Sequence, residues 1–501
     1  MNPRQRLLMF LVLGSILGIV IGVDVANESY GLAVFVGIVS FWIIVERMSP
    51  APPDAWILAL ILIGYIVGNR GFAQIQPTAN IPLLPAEATL LVAVPALVLR
   101  MTLKKTSAFR RDLLNWSILA WMVFGTIRLP VDVRRYGVTA LRDFAMVYYG
   151  GFFFIAQAFG RNKAASKVLM WSLSVAFICL VPVVISIQIS PDFLVDHLTL
   201  RGIPLIYQKS DLIATSLAAG FFWLWSRKDK SGNKFWLAPA GASLLLVGAM
   251  ASPRAAMAGI AFTTLIWILT GRWRVFAAQV GLVASAAVVT LAILSFTGRD
   301  LKTSAPYSVY EHAVSIFDPS GTGTYINNES GDPGGNNQFR LIWWRDVIDE
   351  TLSTGPIFGL GFGADLSTRF LADYDLLSDE NFAARSPHSM IVTVFGRMGA
   401  LGLVLWLAVS AGAFQMAWRL IRSGEPDGMG LASIVCLVWI SAALGVVLEG
   451  PMGAVLFWSV LGLANSRLSA LQSGNTQEEN IATAAGAEAD WPIAKVHASD
   501  T

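Results

Sequence analysis

The chain is predicted to be an all-α polytopic membrane protein with about 12–14 transmembrane helices and one large, partly helical loop outside the membrane. Composition and the length of the apolar runs carry this. Of 501 residues, 55% are apolar and only 14% charged, with mean hydropathy +0.60, whereas about a quarter of a soluble domain is charged. The apolar runs last about 15 to 22 residues, enough to cross a hydrocarbon core of about 30 Å as helices, while barrel strands would show short alternating segments. A net charge of +3 gives no nucleic-acid signature. Cys179 and Cys436 both lie in apolar runs, so no disulfide framework supports the polar part of the chain.

In chain order, apolar spans fall near 7–23, 31–45, 55–69, 83–99, 113–127, 144–159, 168–188, 211–225, 235–251, 255–270, 275–296, 398–417, 429–447 and 452–465. Four regions follow: about eleven helices over 1–296, a large loop over 297–388, a second helical region over 389–470, and a small, polar, disordered tail over 471–501. Arg4 and Arg6 precede the first run, but no small-residue cleavage site follows, so this run is read as an uncleaved first helix. With a cytoplasmic N-terminus, alternate loops hold Arg47, then Arg100, Lys104, Lys105, Arg110 and Arg111, then Arg161, Lys163 and Lys167. Arg227, Lys228, Lys230 and Lys234 come next, then Arg272 and Arg274, then Arg419 and Arg422. That positive-inside pattern places 297–388 and its flanking short loops outside, and the tail inside.

Basic residues on the outer side need another explanation. Arg128, Arg134 and Arg135 are read as snorkelling to lipid phosphates or pairing with Asp132, Asp143 or Asp211. Arg254, in Ser252-Pro253-Arg254 at a tight turn between two spans, is read as functional, because ionisable groups at membrane depth usually line a cavity. Arg201 and Lys209 sit before the 211–225 span, with Ser210 or Asp211 as its expected N-cap.

Within the large loop, 318–337 is rich in Gly, Asn, Ser, Thr and Pro and reads as flexible. From Asn337 the pattern turns helical, with Phe339, Ile342, Trp343, Val347 and Ile348 at near-helical spacing until Gly355-Pro356 stops it. Arg340 and Trp344 then share one face a turn apart, a pairing that suits a sugar phosphate; the competing reading rests Trp343 and Trp344 on lipid headgroups. Gly359, Gly361 and Gly363 form a turn, not a dinucleotide fingerprint. His197 and His312 lack partners at metal-ligand spacing and are read as surface residues. Asp373-Tyr374-Asp375 has the Asp-x-Asp form of metal-dependent glycosyltransferases, but nucleotide sugars are cytoplasmic and this loop is expected outside.

The order of these elements, namely Arg340 with Trp344, Pro356-x-x-Gly359-x-Gly361, His388 after Ser386-Pro387 before an apolar helix, and Gly396-Arg397-Met398-Gly399, resembles the O-antigen ligase and O-antigen polymerase superfamily of bacterial membrane glycosyltransferases. Ala251-Ser252-Pro253-Arg254 is similar to that family's Ser-Arg-small-small element with a proline inserted, while Lys209-Ser210-Asp211 stands where an Asn-Pro-Asn-like element is usual. The resemblance implies an inverting inner-membrane enzyme that moves a glycan from a polyprenyl-pyrophosphate carrier to an acceptor hydroxyl at the periplasmic face. His388 is the implied catalytic base; because guanidinium forks bind phosphate oxygens in two-pronged fashion, Arg340 is the candidate pyrophosphate ligand, and Arg254, Arg201, Trp344 and Lys209 are the candidate substrate-binding residues. The implied partners are the lipid-linked glycan donor, a glycan or lipid A-core acceptor, and membrane lipids, with no metal, other cofactor, ATP or nucleic acid. Alternatives are a polysaccharide polymerase or protein O-glycosylating enzyme of the same superfamily and, outside it, a lipid-linked oligosaccharide flippase.

Overall fold

The structure, a computed structural model, describes residues 37, 40, 42–76, 84–104, 108–200, 202–250, 253–298, 300–318, 320–323, 325, 333–373 and 385–489. A helix covers each apolar run expected from residue 55 onward; the run 7–23 and most of 31–45 lie outside the described residues. Seven described helices are long and apolar enough to cross a membrane: Pro85–Leu103, Leu113–Tyr136, Lys163–Ile189, Arg274–Thr297, Met390–Ser423, Pro426–Ala443 and Pro451–Ser473. Trp42–Met48 and Pro53–Val67 together pass the same test but are bent by 113° at the break between them. The remaining expected runs fall short for local reasons. The run near 144–159 breaks at Tyr149 and Gly150 into Ala145–Tyr148 and Gly151–Gly160. Ser210–Ser231 carries Arg227, Lys228, Asp229 and Lys230 in its last turns, and Lys234–Gly248 and Arg254–Leu269 are short apolar helices.

Two helix classes differ in what surrounds them. Helix 426–443 is buried along most of its length among helices 210–231, 254–269, 390–423 and 451–489, whereas helix 274–297 buries only Val275 and Gln279 and leaves the rest of its surface uncovered by the described residues. Because lipid tails are as apolar as leucine, close backbone approach and internal hydrogen bonds hold such a bundle together. Three indoles are tied this way: Trp223 donates to Ser174 at 3.0 Å, Trp267 to Ser433 at 2.8 Å and the half-buried Trp439 to Ser410 at 2.9 Å, whereas the buried Trp121 and Trp406 leave Nε1 without a hydrogen-bond partner. Asn115, Gln157 and Asn465 form a buried amide cluster, with both asparagines donating to Gln157 Oε1 at 3.1 and 2.7 Å.

The bundle has two chemically different ends. At one, Asp427 pairs with Arg227 and Lys230, and Glu425 with Arg467. At the other lie the large loop and the starts of helices 210–231, 390–423 and 451–489. The loop packs around a small apolar core of its own: Trp343, Val347, Leu360, Ala364, Leu366, Phe370 and Val392. Trp343 is fully buried, lies parallel to Phe370 at 5.2 Å and donates its N–H to Leu366 O at 2.7 Å, so it does not rest on headgroups. The loop helix, described as Pro333–Thr354, ends before Gly355-Pro356 as expected.

Helix contact distance gives a direct test. A methyl group on Gly462 would sit 2.2 Å from Phe153 O, whereas one on Gly281 would meet nothing within 4 Å. Overpacking typically costs about 1–3 kcal/mol, while alanine favours a helix over glycine by about 1 kcal/mol. Gly462→Ala is therefore expected to lower the thermal midpoint of the detergent-purified protein by several degrees, and Gly281→Ala to leave it unchanged or slightly higher.

Candidate functional site

A cavity of about 450 Å³ opens at the loop end, where three long helices begin. Lys209 and Leu212 line it from the start of helix 210–231, His388, Met390 and Thr393 from the start of helix 390–423, and Gly450 and Met452 from the start of helix 451–489. Each start turns the positive end of its helix dipole inward. Arg70, Arg142, Lys209, Arg385 and Arg397 add five cationic side chains against two carboxylates, Asp143 and Glu449. Cationic side chains outnumber carboxylates and the backbone dipoles add to their sign, so the chemistry that fits is an anion.

His388 sits in this cavity under constraint. Its φ of 54° makes it one of two non-glycine residues with positive φ among those described, the other being Asn69, and such geometry persists only where surrounding contacts impose it. Those contacts are visible. Trp344 Nε1 donates to Pro387 O at 2.6 Å, and the Trp343 ring lies 5.7 Å from the imidazole. The imidazole makes no hydrogen bond with any described residue. Burial lowers its pKa from 6.5 to about 4, aided by the charges of Arg340 and Lys209. At neutral pH the ring is therefore neutral and free to accept a proton. Glu449 shifts the other way: burial raises its pKa, opposed by hydrogen bonds from Ser386 and Thr393 and by the charges of Arg397 and Lys209.

The glycine turn is the bracket for this arrangement. Gly359, Gly361 and Gly363 take φ of 76°, 109° and 93°, and a Cβ on Gly361 would lie 2.6 Å from Asp132 Oδ1. Asp132 accepts from Phe362 N at 2.9 Å, and Asp143 from Gly363 N at 3.0 Å. Asp143 also pairs with the buried Arg397. Leu360 N and Gly361 N donate to Gly396 O and Arg397 O at 2.7 and 3.1 Å, just before Gly399 breaks the helix at φ 66°. Arg128 pairs with Asp132 at 2.9 Å and donates to Gly359 O at 3.0 Å, a structural part in line with the ion-pair reading.

A second chamber of about 180 Å³ is lined by Arg254, Asn337, Arg340, Trp344 and Leu444, among others. Arg254 donates to Asn337 Oδ1 at 2.7 Å, and Arg340 to Leu444 O, at the end of helix 426–443, at 2.7 Å. Arg340 also acts electrostatically on both His388 and Asp211, which ties the two spaces together. The structure therefore brings His388 and Lys209 into one cavity and Arg340, Arg254 and Trp344 into the neighbouring one. Arg201 lies outside the described residues.

Several expectations change. His312 is buried, not a surface residue, because its helix Ala305–Ser315 packs against helices 237–248, 254–269 and 333–354. Its Nδ1 has no hydrogen-bond partner, and burial and then Arg254 hold its pKa down, opposed by Glu311. Lys209, not Ser210 or Asp211, occupies the N-cap of helix 210–231, with no side-chain capping bond. Asp373 makes a 4.0 Å pair with Arg369, while Tyr374 and Asp375 lie outside the described residues. Among the described residues no cluster of His, Cys, Asp and Glu could hold a metal ion. Sequence reasoning missed Arg70, Arg385 and Glu449 as cavity residues; the one signal for Arg70 is its place at the end of an apolar run.

No curated protein matches the chain. Residues 239–407 match the family model described as O-antigen ligase, a stretch that contains Arg254, Arg340, Trp344, the glycine turn, His388 and Arg397. The stretch similar to that family is carried by an all-α membrane protein with seven candidate spans among the described residues.

Proposed function

We propose that the protein is an inner-membrane, ligase-type glycosyltransferase that transfers a glycan from a polyprenyl-pyrophosphate carrier to an acceptor hydroxyl, with lipid A-core as the acceptor class, at the periplasmic face. The observation that carries this reading is a neutral, unpaired histidine inside a cavity walled by five cations and three helix starts.

Transfer requires the acceptor oxygen to bond to the anomeric carbon while the bond from that carbon to phosphate oxygen breaks. The electron pair leaves with the polyprenyl diphosphate, and the hydroxyl proton goes to His388. Attack opposite the departing phosphate inverts the anomeric centre. Positive charge placed where the diphosphate charge develops stabilises that departure. Arg340 is the leading ligand, because a guanidinium grips phosphate oxygens in two-pronged fashion; Arg254, Arg201 and Lys209 assist, and Trp344 packs against the sugar. These cations supply the charge a divalent metal would otherwise provide. The leaving diphosphate carries the activation, so ATP has no part.

Sidedness rests on charge. Arg161, Lys163, Lys167, Arg227, Lys230 and Arg467 line one cavity at the end away from His388, which the positive-inside bias assigns to the cytoplasm. In a background of Cys179→Ala and Cys436→Ala, Lys302→Cys is expected to react with a membrane-impermeant thiol reagent in cells with an opened outer barrier, and Ser231→Cys is not. The reverse labelling would overturn the periplasmic assignment.

The chemistry is tested with purified lipid-linked donor and acceptor in detergent, with a chelator present. Removing a general base costs about 10²- to 10⁴-fold, so His388→Ala is expected to give no visible product from normally folded protein. Arg340→Lys keeps the charge but loses the fork; with roughly 1.5–3 kcal/mol at stake, a loss of about 10- to 150-fold follows. Near-normal transfer by His388→Ala would remove it as base, and full activity of Arg340→Lys would reduce Arg340 to a ligand of Leu444 O.

A further inference from the structure

The end of the bundle opposite His388 holds a cavity of about 820 Å³ that glycan transfer leaves unused. Arg161, Lys163, Lys167, Arg227, Lys230 and Arg467 line it, with Asp427 the lining carboxylate. Asp427 is shared by Arg227 and Lys230, and Arg467 is taken by Glu425 at 2.8 Å. Lys163 and Lys167 are exposed and form no ion pair with any described residue. They stand one turn apart at the start of helix 163–189, whose N-terminus Asn162 caps through bonds of 2.9 and 3.2 Å. Cations are unfavourable at a helix N-terminus and repel each other across one turn. Topology alone asks for basic residues on this side, but not for six of them around one cavity.

A second observation sets the depth. Trp171, half-exposed, and Trp236 line the same cavity, and Trp56 meets Trp171 edge-on at 6.1 Å. Tryptophans gather at the headgroup level of a bilayer. Met170 and Ala470 complete an apolar wall, while Ser166 and Ser469 add hydroxyls.

We propose that this cavity binds the phosphate headgroup of an anionic phospholipid, with Lys163 and Lys167 as its principal cations and an acyl chain lying against Trp171. A basic pocket between membrane helices is the form such sites take. The bound phosphate would offset the charge crowded at the start of helix 163–189 and hold it against helices 210–231 and 451–489.

The test uses the full chain in zwitterionic detergent, titrated separately with diphosphatidylglycerol, phosphatidylcholine and inorganic pyrophosphate, with thermal midpoint as the readout. Diphosphatidylglycerol is expected to raise the midpoint saturably, and the other two at equal concentration are not. Loss of two lysines near a headgroup corresponds to roughly 30-fold in affinity, so the Lys163→Gln, Lys167→Gln double variant should need about that much more lipid for half-saturation. Lys302→Gln, an exposed cation at the other end, should titrate like the parent. Equal lipid response by the double variant, or equal response to phosphatidylcholine, would overturn the site. Saturation by pyrophosphate alone would overturn the lipid assignment in favour of a soluble anion.

Discussion

Five cationic side chains and three helix starts converge on one small cavity, and this gathering of positive charge is the constraint on which the rest of the site depends. Like charges in a partly buried space repel strongly, so the arrangement needs internal compensation. Asp143 supplies it to Arg397, where both side chains are nearly inaccessible. A buried pair of this kind adds little net stability, because desolvation offsets attraction, but removing one partner is costly. Its value here lies in fixed placement: Asp143 also holds Gly363 N, so one carboxylate sets both the arginine and the glycine turn.

The turn explains why the loop can be both polar and rigid. Backbone N–H groups of residues 360–363 go to Gly396 O, Arg397 O, Asp132 and Asp143, and the carbonyls of Gly359 and Leu360 accept from Arg128 and Tyr136. Buried backbone groups left unpaired would cost far more than these bonds gain. On the other side, the small core around Trp343 fastens the loop helix to helix 390–423, and Trp344 fixes the carbonyl next to His388. A histidine at φ 54° is thus held from two directions.

Much of this was legible in the sequence, and the boundary is physical. Apolar runs of membrane length reveal helices because a span must satisfy its backbone internally, and the glycine turn, Arg340, Trp344 and His388 stood out through their local order in one loop. Arg70, Arg385 and Glu449 did not, because residues 70 and 449 come to line one cavity only after the bundle has folded, and an isolated arginine beside an apolar run looks like a lipid anchor. His312 was misread for a related reason: a polar local context does not show that its helix packs against three others. The reading of Arg128 came through better because its partner Asp132 lies one helical turn away.

The central claim is that burial, aided by the charges of Arg340 and Lys209, keeps His388 neutral until an anionic donor arrives. Binding a diphosphate beside it would return the imidazole pKa toward its ordinary value, since opposite charge favours the protonated form. A diphosphate esterified at both ends has no proton to lose in this range. The pH dependence of kcat/KM reports the free enzyme and that of kcat the complex, so the two should separate. Base catalysis by His388 fails as pH falls through its pKa: the account predicts that kcat/KM declines only near pH 4, following the pKa of about 4, while the decline in kcat lies at higher pH. A limb near 6.5 in kcat/KM, or coincident limbs in both profiles, would contradict it.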